Sequence, residues 1–322
     1  MSLIKENVAL GEEKLPMTIT FTSGSPEEFV EWYFENKAYI DEKITNVGAV
    51  HIQGINVNTV EKFGDVMKAI RPESPDFLDG NSSRSKYSSN VYNASEYDNN
   101  SVVQLHTEFS YSNLWPDQIH FCCVKPADSG GETTVADTSL VLEKLDPKIV
   151  QEFEDKGIIY IRNHHGGGGF GPSWMEAFET EDKDFLEAYC KKNDIETKWM
   201  PDGSLKVSQS RPAFRVHPKT GVKLWFNQVD QFYPAIYGDE IYQTLLMMVD
   251  NNPERLPMYS TYGDGSPIQK EYIEEIIRIL DEITIPVPWK IGDMLMIDNM
   301  TALHGRLPFT GDRKILASMS NY

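Results

Sequence analysis

Beyond residue 100, short β-branched and aromatic segments alternate with turns, and this pattern constrains the fold more than any other feature. Such segments occupy residues 101–105, 118–124, 158–161, 213–216, 223–226 and 293–297. Because turns rather than regular helices separate them, they favour an antiparallel sandwich or barrel over a doubly wound sheet. No glycine-rich loop follows a strand and opens a helix, so nucleotide binding has no support. We therefore expect a mainly β fold with flanking helices.

Helices are predicted around this β-rich region. Ser25-Pro26-Glu27-Glu28 is typical of a helix start, with Ser as the N-cap and Pro at the first helical position. Further helices are expected after Thr59, over residues 139–156 with Gly157 as the C-cap, and from Ser266-Pro267 onward. Residues 80–101 are rich in Ser, Asn and Tyr without a period, which predicts a long loop.

Composition restricts the partners and the compartment. The chain has 30 basic and 49 acidic residues, a net charge of −19, which repels nucleic acid and anionic membranes. It has no apolar run of about 18 residues, and its first residues lack the features of a signal peptide. Cys122, Cys123 and Cys190 show no disulfide or zinc spacing. We expect a cytoplasmic protein with buried cysteines that binds neither nucleic acid nor membrane.

The tripeptide His106-Thr107-Glu108 is the first candidate for a metal site. Residues i and i+2 of an extended strand face the same side, so His106 and Glu108 are expected to project together. His304, after a strongly apolar strand, is the best candidate for a third ligand. Two His and one carboxylate suit a non-haem Fe(II) oxygenase because three coordination positions stay open. Taken alone, the three residues also fit structural roles in a strand end and a core.

A second set of residues suits the capture of a carboxylate. Arg313 comes nine residues after His304, and the planar fork of a buried arginine matches two carboxylate oxygens. Thr133, in Gly130-Gly131-Glu132-Thr133, could donate a hydrogen bond to the same carboxylate. The alternative for Arg313 is a surface ion pair with Asp312, which would contribute little energy.

Paired histidines at His164 and His165 precede four glycines. The glycines provide no rigidity to hold a coordination geometry, so these histidines are poor metal ligands. We interpret residues 164–169 as a mobile loop near the mouth of an active site.

Together, these motifs resemble the TauD/TfdA family of 2-oxoglutarate dioxygenases. The ordered set is H-x-E, G-G-E-T about 25 residues further on, and a distal H-G-R-x-P-F-x-G-x-R. Within the family, the chain is most similar to the clavaminate-synthase-like and syringomycin-biosynthesis-type hydroxylases, also through Glu96-Tyr97, Trp225-Phe226-Asn227 and Gly263-Asp264-Gly265. The resemblance spans roughly residues 45–320. It implies one catalytic domain over residues 1–322, with a double-stranded β-helix (jelly-roll) core and an N-terminal helical extension over residues 1–45.

The resemblance also implies roles for individual residues. His106, Glu108 and His304 match the iron ligands, Arg313 matches the arginine that binds the distal carboxylate of 2-oxoglutarate, and Thr133 matches its threonine helper. Two positions depart from the usual pattern. Glu108 stands where many members have Asp, and Ala317 stands where some relatives have a second arginine for an acidic substrate.

The function implied is hydroxylation of an unactivated C–H bond with Fe(II), 2-oxoglutarate and O₂, releasing succinate and CO₂. The expected substrate is an amino acid or amino-acid-like small molecule, free or tethered to a carrier protein, in natural-product biosynthesis. Gln104 and Asn227 are candidate polar contacts for it. Desaturation and cyclisation stay open, whereas Glu108 argues against halogenation. Two further alternatives are a cupin-like metal hydrolase or isomerase and a catalytically silent β-sandwich binding protein. The oligomeric state is not predicted.

Overall fold

A computed structural model describes residues 8–72, 78, 80, 86–88, 91–94, 97–169, 171–234 and 238–322. Its strands are β1 (Val8–Leu10), β2 (Met17–Phe21), β3 (Ala49–Gln53), β4 (Lys86–Ser88), β5 (Val91–Asn93), β6 (Val103–His106), β7 (Gln118–Lys125), β8 (Ser129–Gly130), β9 (Thr133–Asp137), β10 (Ile158–His164), β11 (Glu196–Trp199), β12 (Leu205–Arg211), β13 (Phe214–Val216), β14 (Lys223–Trp225), β15 (Met258–Tyr262), β16 (Ile285–Val287), β17 (Met294–Asp298), β18 (Ala302–Arg306), β19 (Phe309–Thr310) and β20 (Lys314–Ser320). Its helices are α1 (Pro26–Val47), α2 (Val60–Ile70), α3 (Thr138–Lys144), α4 (Pro147–Lys156), α5 (Trp174–Ala177), α6 (Lys183–Lys192), α7 (Asp239–Met248) and α8 (Lys270–Ile283).

The strands form two sheets that matter for the site. An eight-stranded sheet has the order β1-β2-β3-β17-β7-β20-β5-β4, and a four-stranded sheet has the order β16-β9-β18-β6. Their pairings are antiparallel except for β2 with β3. Another four-stranded sheet, β11-β12-β10-β15, and two strand pairs complete the described part of the chain. The fold is thus a mixture of strands and helices.

The large sheet is buried on both faces. Neighbouring residues of a strand point to opposite sides, so Cys122 packs with the apolar residues of α1 and α2, whereas Cys123 packs with the four-stranded sheet and α8. In β17, Met296 and Leu295 divide in the same way. Both cysteines are fully buried, as predicted for small apolar side chains. The helices α1 and α2 therefore cover the outer face of the large sheet, and its inner face packs against the four-stranded sheet and α8.

Most of the predicted elements are present. Ser25 caps α1 in a capping box with Glu28, and Thr59 caps α2. The strands expected near residues 118–124, 158–161 and 293–297 correspond to β7, β10 and β17. Within the described residues, no helix combines the length and apolar composition needed to cross a membrane.

Four predictions about local structure are wrong. Residues 139–156 form two helices, because the chain breaks before Pro147 and Asp146 caps α4. The expected loop over residues 80–101 contains β4 and β5, which extend the large sheet. The N-terminal extension is not only helical, since β1 and β2 precede α1 and join β3. The last helix begins at Lys270, because Ser266 belongs to a turn capped by Asp264.

Candidate active site

Glu108 lies two residues beyond the end of β6 and not within the strand as predicted. The chain turns here, and Phe109 has a φ of 57°. Asn299 holds the Glu108 peptide from two sides. Its Oδ1 accepts a hydrogen bond from the Glu108 N–H at 2.7 Å, and its Nδ2 donates to the Glu108 carbonyl at 2.9 Å. Asn299 is fully buried, so this contact fixes the direction in which the Glu108 side chain leaves the backbone.

His304 lies on β18 directly opposite His106 on β6, and the centres of the two rings are 4.3 Å apart. Glu108 Oε2 lies 3.7 Å from His106 Nε2 and 3.6 Å from His304 Nε2. One ligand atom from each residue lies within 4.8 Å of the other two. The register of β6 and β18 thus brings His106 and His304 together, and Glu108, two residues beyond β6, completes the set.

The chemistry of these three side chains fits a divalent iron ion. His106 Nδ1 lies 2.8 Å from the Gln104 carbonyl, which can only accept a hydrogen bond. Nδ1 therefore carries the proton, and Nε2 keeps its lone pair on the side of Glu108 and His304. Two imidazole nitrogens and one carboxylate form the donor set of non-haem Fe(II) sites, with three positions left for other ligands.

A cavity of about 390 Å³ opens beside these ligands. Its apolar wall is formed by Tyr111, Ile119, Phe121, Met258, Ile277 and Met319. Its polar wall includes Gln104, Thr133, Gln228, Gln231, Arg306 and Arg313. The cavity therefore has the mixture of apolar surface and a few polar groups that is typical of small-molecule sites.

Arg313 faces this cavity and does not form the surface ion pair considered above. Its Nε donates to the Gly131 carbonyl at 2.8 Å, and its terminal nitrogens make no hydrogen bond within the described residues. Asp312 is exposed and pairs with Lys125 instead. Burial, together with the neighbouring Arg306, lowers the pKa of Arg313 to about 10. A half-buried cation with a free fork is suited to an anionic ligand such as a carboxylate.

Thr133 lines the same cavity from β9. Its hydroxyl oxygen accepts a hydrogen bond from the indole N–H of Trp289 at 3.0 Å. The hydroxyl proton is then available to a second partner, because a threonine hydroxyl both donates and accepts.

The two candidate substrate contacts differ in their positions. Gln104 lines the cavity. Asn227 does not, because its Nδ2 donates to the Ala213 carbonyl and its Oδ1 accepts from the Val229 N–H. Asn227 therefore stabilises its own loop through hydrogen bonds to the backbone. Ala317 lines the cavity, so the position of the second arginine of some relatives faces this space with only a methyl group.

Four polar residues around the site are not among those predicted from the sequence. Arg306 lines the cavity and donates to the carbonyls of Asp98 and Ser101 at 2.7 and 2.8 Å. Gln228 and Gln231 also line it, and Asn299 holds Glu108. Arg306 stands within the quoted distal motif and Asn299 shortly before it, so proximity to His304 was a usable signal. Gln228 and Gln231 carry no such signal in the sequence.

The paired histidines lie away from the cavity. His164 ends β10, is buried and packs against Phe178, whereas His165 bonds to the Gly171 carbonyl. Burial lowers the pKa of His164 to about 3, so it is neutral at physiological pH. Neither histidine lines the cavity, so the predicted place near its mouth has no support. Glu96, from the Glu96-Tyr97 pair that contributes to the family resemblance, lies outside the described residues.

Comparison with known proteins gives a consistent result. The family model described as taurine catabolism dioxygenase TauD, TfdA family, matches residues 21–319. The dapdiamide synthesis protein DdaC of Enterobacter agglomerans is 34% identical over 304 residues, covering 94% of this chain and 91% of that protein. A clavaminate synthase-like protein of Arabidopsis thaliana is 29% identical over 299 residues, covering 90% of this chain and 87% of that protein.

Solved structures show a similar fold. PvcB of Pseudomonas aeruginosa has a TM-score of 0.53 at 15% identity, covering 100% of this chain and 94% of that one. PvcB is an Fe, alpha-ketoglutarate-dependent oxygenase from an isonitrile synthetic pathway. A taurine dioxygenase of Burkholderia xenovorans has a TM-score of 0.52 at 13% identity, covering 98% of this chain and 89% of that one.

Proposed function

The chain belongs to the TauD/TfdA family of dioxygenases, and on this premise we propose that it hydroxylates an unactivated C–H bond of a small amino-acid-like substrate. It is an iron(II)- and 2-oxoglutarate-dependent oxygenase that uses O₂. His106, Glu108 and His304 are the proposed iron ligands. The observation that carries this assignment is the convergence of the three side chains beside one cavity, with His106 in the tautomer that a metal requires.

Arg313 and Thr133 are the proposed binding residues for 2-oxoglutarate. The free fork of Arg313 would take the distal carboxylate, and the Thr133 proton would bond to the same group. Gly131 and Trp289 hold these two side chains in place through the bonds described above. When bound, iron and 2-oxoglutarate supply the oxidative chemistry, with release of succinate and CO₂. The protein fixes the orientation of the reactants, and its apolar wall excludes water.

We further propose that the two sheets facing the interior form a double-stranded β-helix within one catalytic domain. The joining of β1 and β2 to the large sheet supports a single domain. The relative in dapdiamide synthesis supports a role in natural-product biosynthesis, with the substrate free or tethered to a carrier protein. Desaturation and cyclisation by the same centre are the alternative outcomes. Family membership leaves the hydrolase and the silent binding protein without support.

Anaerobic titration tests this proposal. Fe(II) and 2-oxoglutarate added to the protein under argon should produce the visible charge-transfer band of the iron chelate. The band should vanish in His304→Ala and weaken in Arg313→Ala. His164→Ala serves as the matched control, because it removes a buried histidine that does not line the cavity. A folded, iron-loaded protein without the band would contradict the proposal.

A further inference from the structure

Three glutamines connect the backbone carbonyl that orients His106 to a polar part of the cavity wall. The Gln104 carbonyl, which accepts from His106 Nδ1, also accepts from Gln231 Nε2 at 3.3 Å. Gln231 Oε1 in turn accepts from Gln228 Nε2 at 3.4 Å. We refer to Gln104, Gln231 and Gln228 as the amide relay. All three members line the cavity.

The direction of the amide relay is fixed by its first member. A backbone carbonyl can only accept, so Gln231 must turn its nitrogen towards Gln104. Gln231 Oε1 must then face Gln228, and Gln228 must present its own nitrogen to it. Gln228 Oε1 is left as the outer end of the amide relay, and its orientation does not depend on an arbitrary choice between nitrogen and oxygen.

Gln228 Oε1 is a buried acceptor without a hydrogen-bond partner in the described part of the chain. The residue is 3% exposed and lines the cavity. Its backbone cannot readily move, because the Gln228 N–H bonds to the Tyr160 hydroxyl at 3.1 Å and Asn227 caps the next residue. A fixed acceptor in a cavity wall needs a donor from outside the protein, and a bound ligand with an N–H group can supply it.

The charges around the cavity favour a neutral donor. Among the described residues that line it, Glu108 is the one carboxylate, and it is the proposed iron ligand. Arg306 and Arg313 add two positive charges. Among the described residues that line the cavity, an ammonium group at Gln228 would therefore meet no free carboxylate, whereas an amide N–H needs none.

We infer that Gln228 is a substrate-binding residue that accepts a hydrogen bond from an amide N–H of the substrate. This inference rests on the proposed function and specifies its substrate class as amide-bearing amino-acid derivatives. Because the amide relay ends on the carbonyl that orients His106, the bound amide is held in a fixed relation to the iron ligands.

Matched amides and esters test this inference. The probes are the common amino acids, each as the carboxamide and as the methyl ester, in which an ester oxygen replaces the amide nitrogen. Each is added under argon to the Fe(II)–2-oxoglutarate protein, and its affinity is read from the change in the visible band. For the side chain that fits, we expect the amide to bind about tenfold more tightly, which is the upper range for one neutral hydrogen bond.

Variants assign this preference to Gln228. Gln228→Leu should abolish the difference between amide and ester while the band without probe is retained. Gln209→Leu is the control, since Gln209 is buried but does not line the cavity. If Gln228→Leu does not fold, Gln231→Leu should reduce the preference, because Gln228 then loses the partner that orients it.

Two results would overturn the inference: equal binding of amide and ester, or binding of no probe, by a wild-type protein with an intact band. An amide preference that persists in both variants would also overturn it. Absence of the band itself would instead contradict the proposed iron and 2-oxoglutarate site, so the two failures are distinguishable.

Discussion

At the scale of single residues, the site depends on side chains that hold backbone in place. Asn299 illustrates this, because it makes no proposed contact with metal or substrate yet bonds to both polar groups of the Glu108 peptide. It also donates to the Pro116 carbonyl at 2.9 Å, so three backbone groups depend on one amide. Partners that orient metal ligands commonly change metal affinity when they are removed.

Asn299→Ala should therefore weaken iron binding. We expect the Fe(II) affinity to fall by about 10- to 100-fold, as is usual for loss of such an orienting group. The affinity is measured from the charge-transfer band at rising Fe(II) concentrations. Asn36→Ala is the matched control, because Asn36 is a buried asparagine that donates to the Trp32 carbonyl within α1. Equal loss of iron affinity in both variants would contradict a specific role for Asn299.

Gly131 is a second residue whose identity the site requires. Its φ is +73°, and a Cβ here would lie 2.9 Å from Phe309 Cβ and 3.0 Å from Arg313 Cδ. Alanine would therefore combine backbone strain of about 1–2 kcal/mol with a displacement of the Arg313 side chain.

Gly131→Ala should raise the apparent Kd for 2-oxoglutarate by about tenfold or more, because a bidentate charged contact depends on geometry. Gly203→Ala separates strain from displacement. Gly203 has a φ of +82°, and no heavy atom lies within 4 Å of the position that its Cβ would take, so alanine there carries the same strain without touching the site. A similar change in Kd for both variants would show that strain, and not Arg313, is responsible.

At the scale of elements, one arginine joins the cavity wall to a ligand-bearing strand. Arg306, at the end of β18, donates to the carbonyls of Asp98 and Ser101, which precede β6. Residues 101–104 line the cavity, so this contact sets the position of one wall relative to His304. Charge-assisted hydrogen bonds of this kind contribute about 1.5–3 kcal/mol each.

Arg306→Met should loosen this wall. We expect amide hydrogen exchange in residues 97–103 to accelerate by about tenfold or more, because the local opening free energy falls. Arg211→Met is the control, since Arg211 donates to the carbonyls of Asn193 and Ser210 in another part of the chain. Unchanged exchange in residues 97–103 would mean that other contacts hold the wall.

The elements also show which parts of the structure a single sequence can predict. Ser25 caps α1 through its hydroxyl, which accepts from the Glu28 N–H, and Gly157 ends α4 through its own backbone; both interactions are local, so these two helix ends were predictable. The break before Pro147 was missed, although a proline at a helix start is a local signal. The convergence of His106, Glu108 and His304 was expected from an ordered motif. The distance between the two histidines, in contrast, is set by the register of β6 and β18.

The amide relay lay beyond such prediction. Gln231 meets the Gln104 carbonyl across 127 positions of sequence, and no local pattern indicates that approach. Asn227 was proposed as a substrate contact, but it bonds to its own loop and fixes the neighbouring Gln228. Which of several polar residues in a loop faces a cavity depends on tertiary packing, which residue type alone does not determine.

At the scale of the whole molecule, the site joins distant parts of the chain. Its proposed metal ligands lie on β18, at the end of β6 and just beyond it, and its cavity is closed by residues of β20 and α8. Unfolding separates all of these groups, so a ligand that binds only the folded chain must stabilise the entire fold. The net charge of −19 complicates this expectation, because an acidic surface attracts divalent cations without any specific site.

Thermal unfolding can separate the two effects. Mn(II) with N-oxalylglycine, a redox-inactive pair that resembles iron with 2-oxoglutarate, should raise the Tm of the wild-type protein by several degrees. A ligand at 100 times its Kd contributes about 2.7 kcal/mol to the free energy of unfolding. Mg(II) alone measures the contribution of the acidic surface, and His304→Ala should keep that part while losing the rest. If His304→Ala shows the full increase in Tm, the metal stabilises the protein through its surface charge and not through the proposed triad.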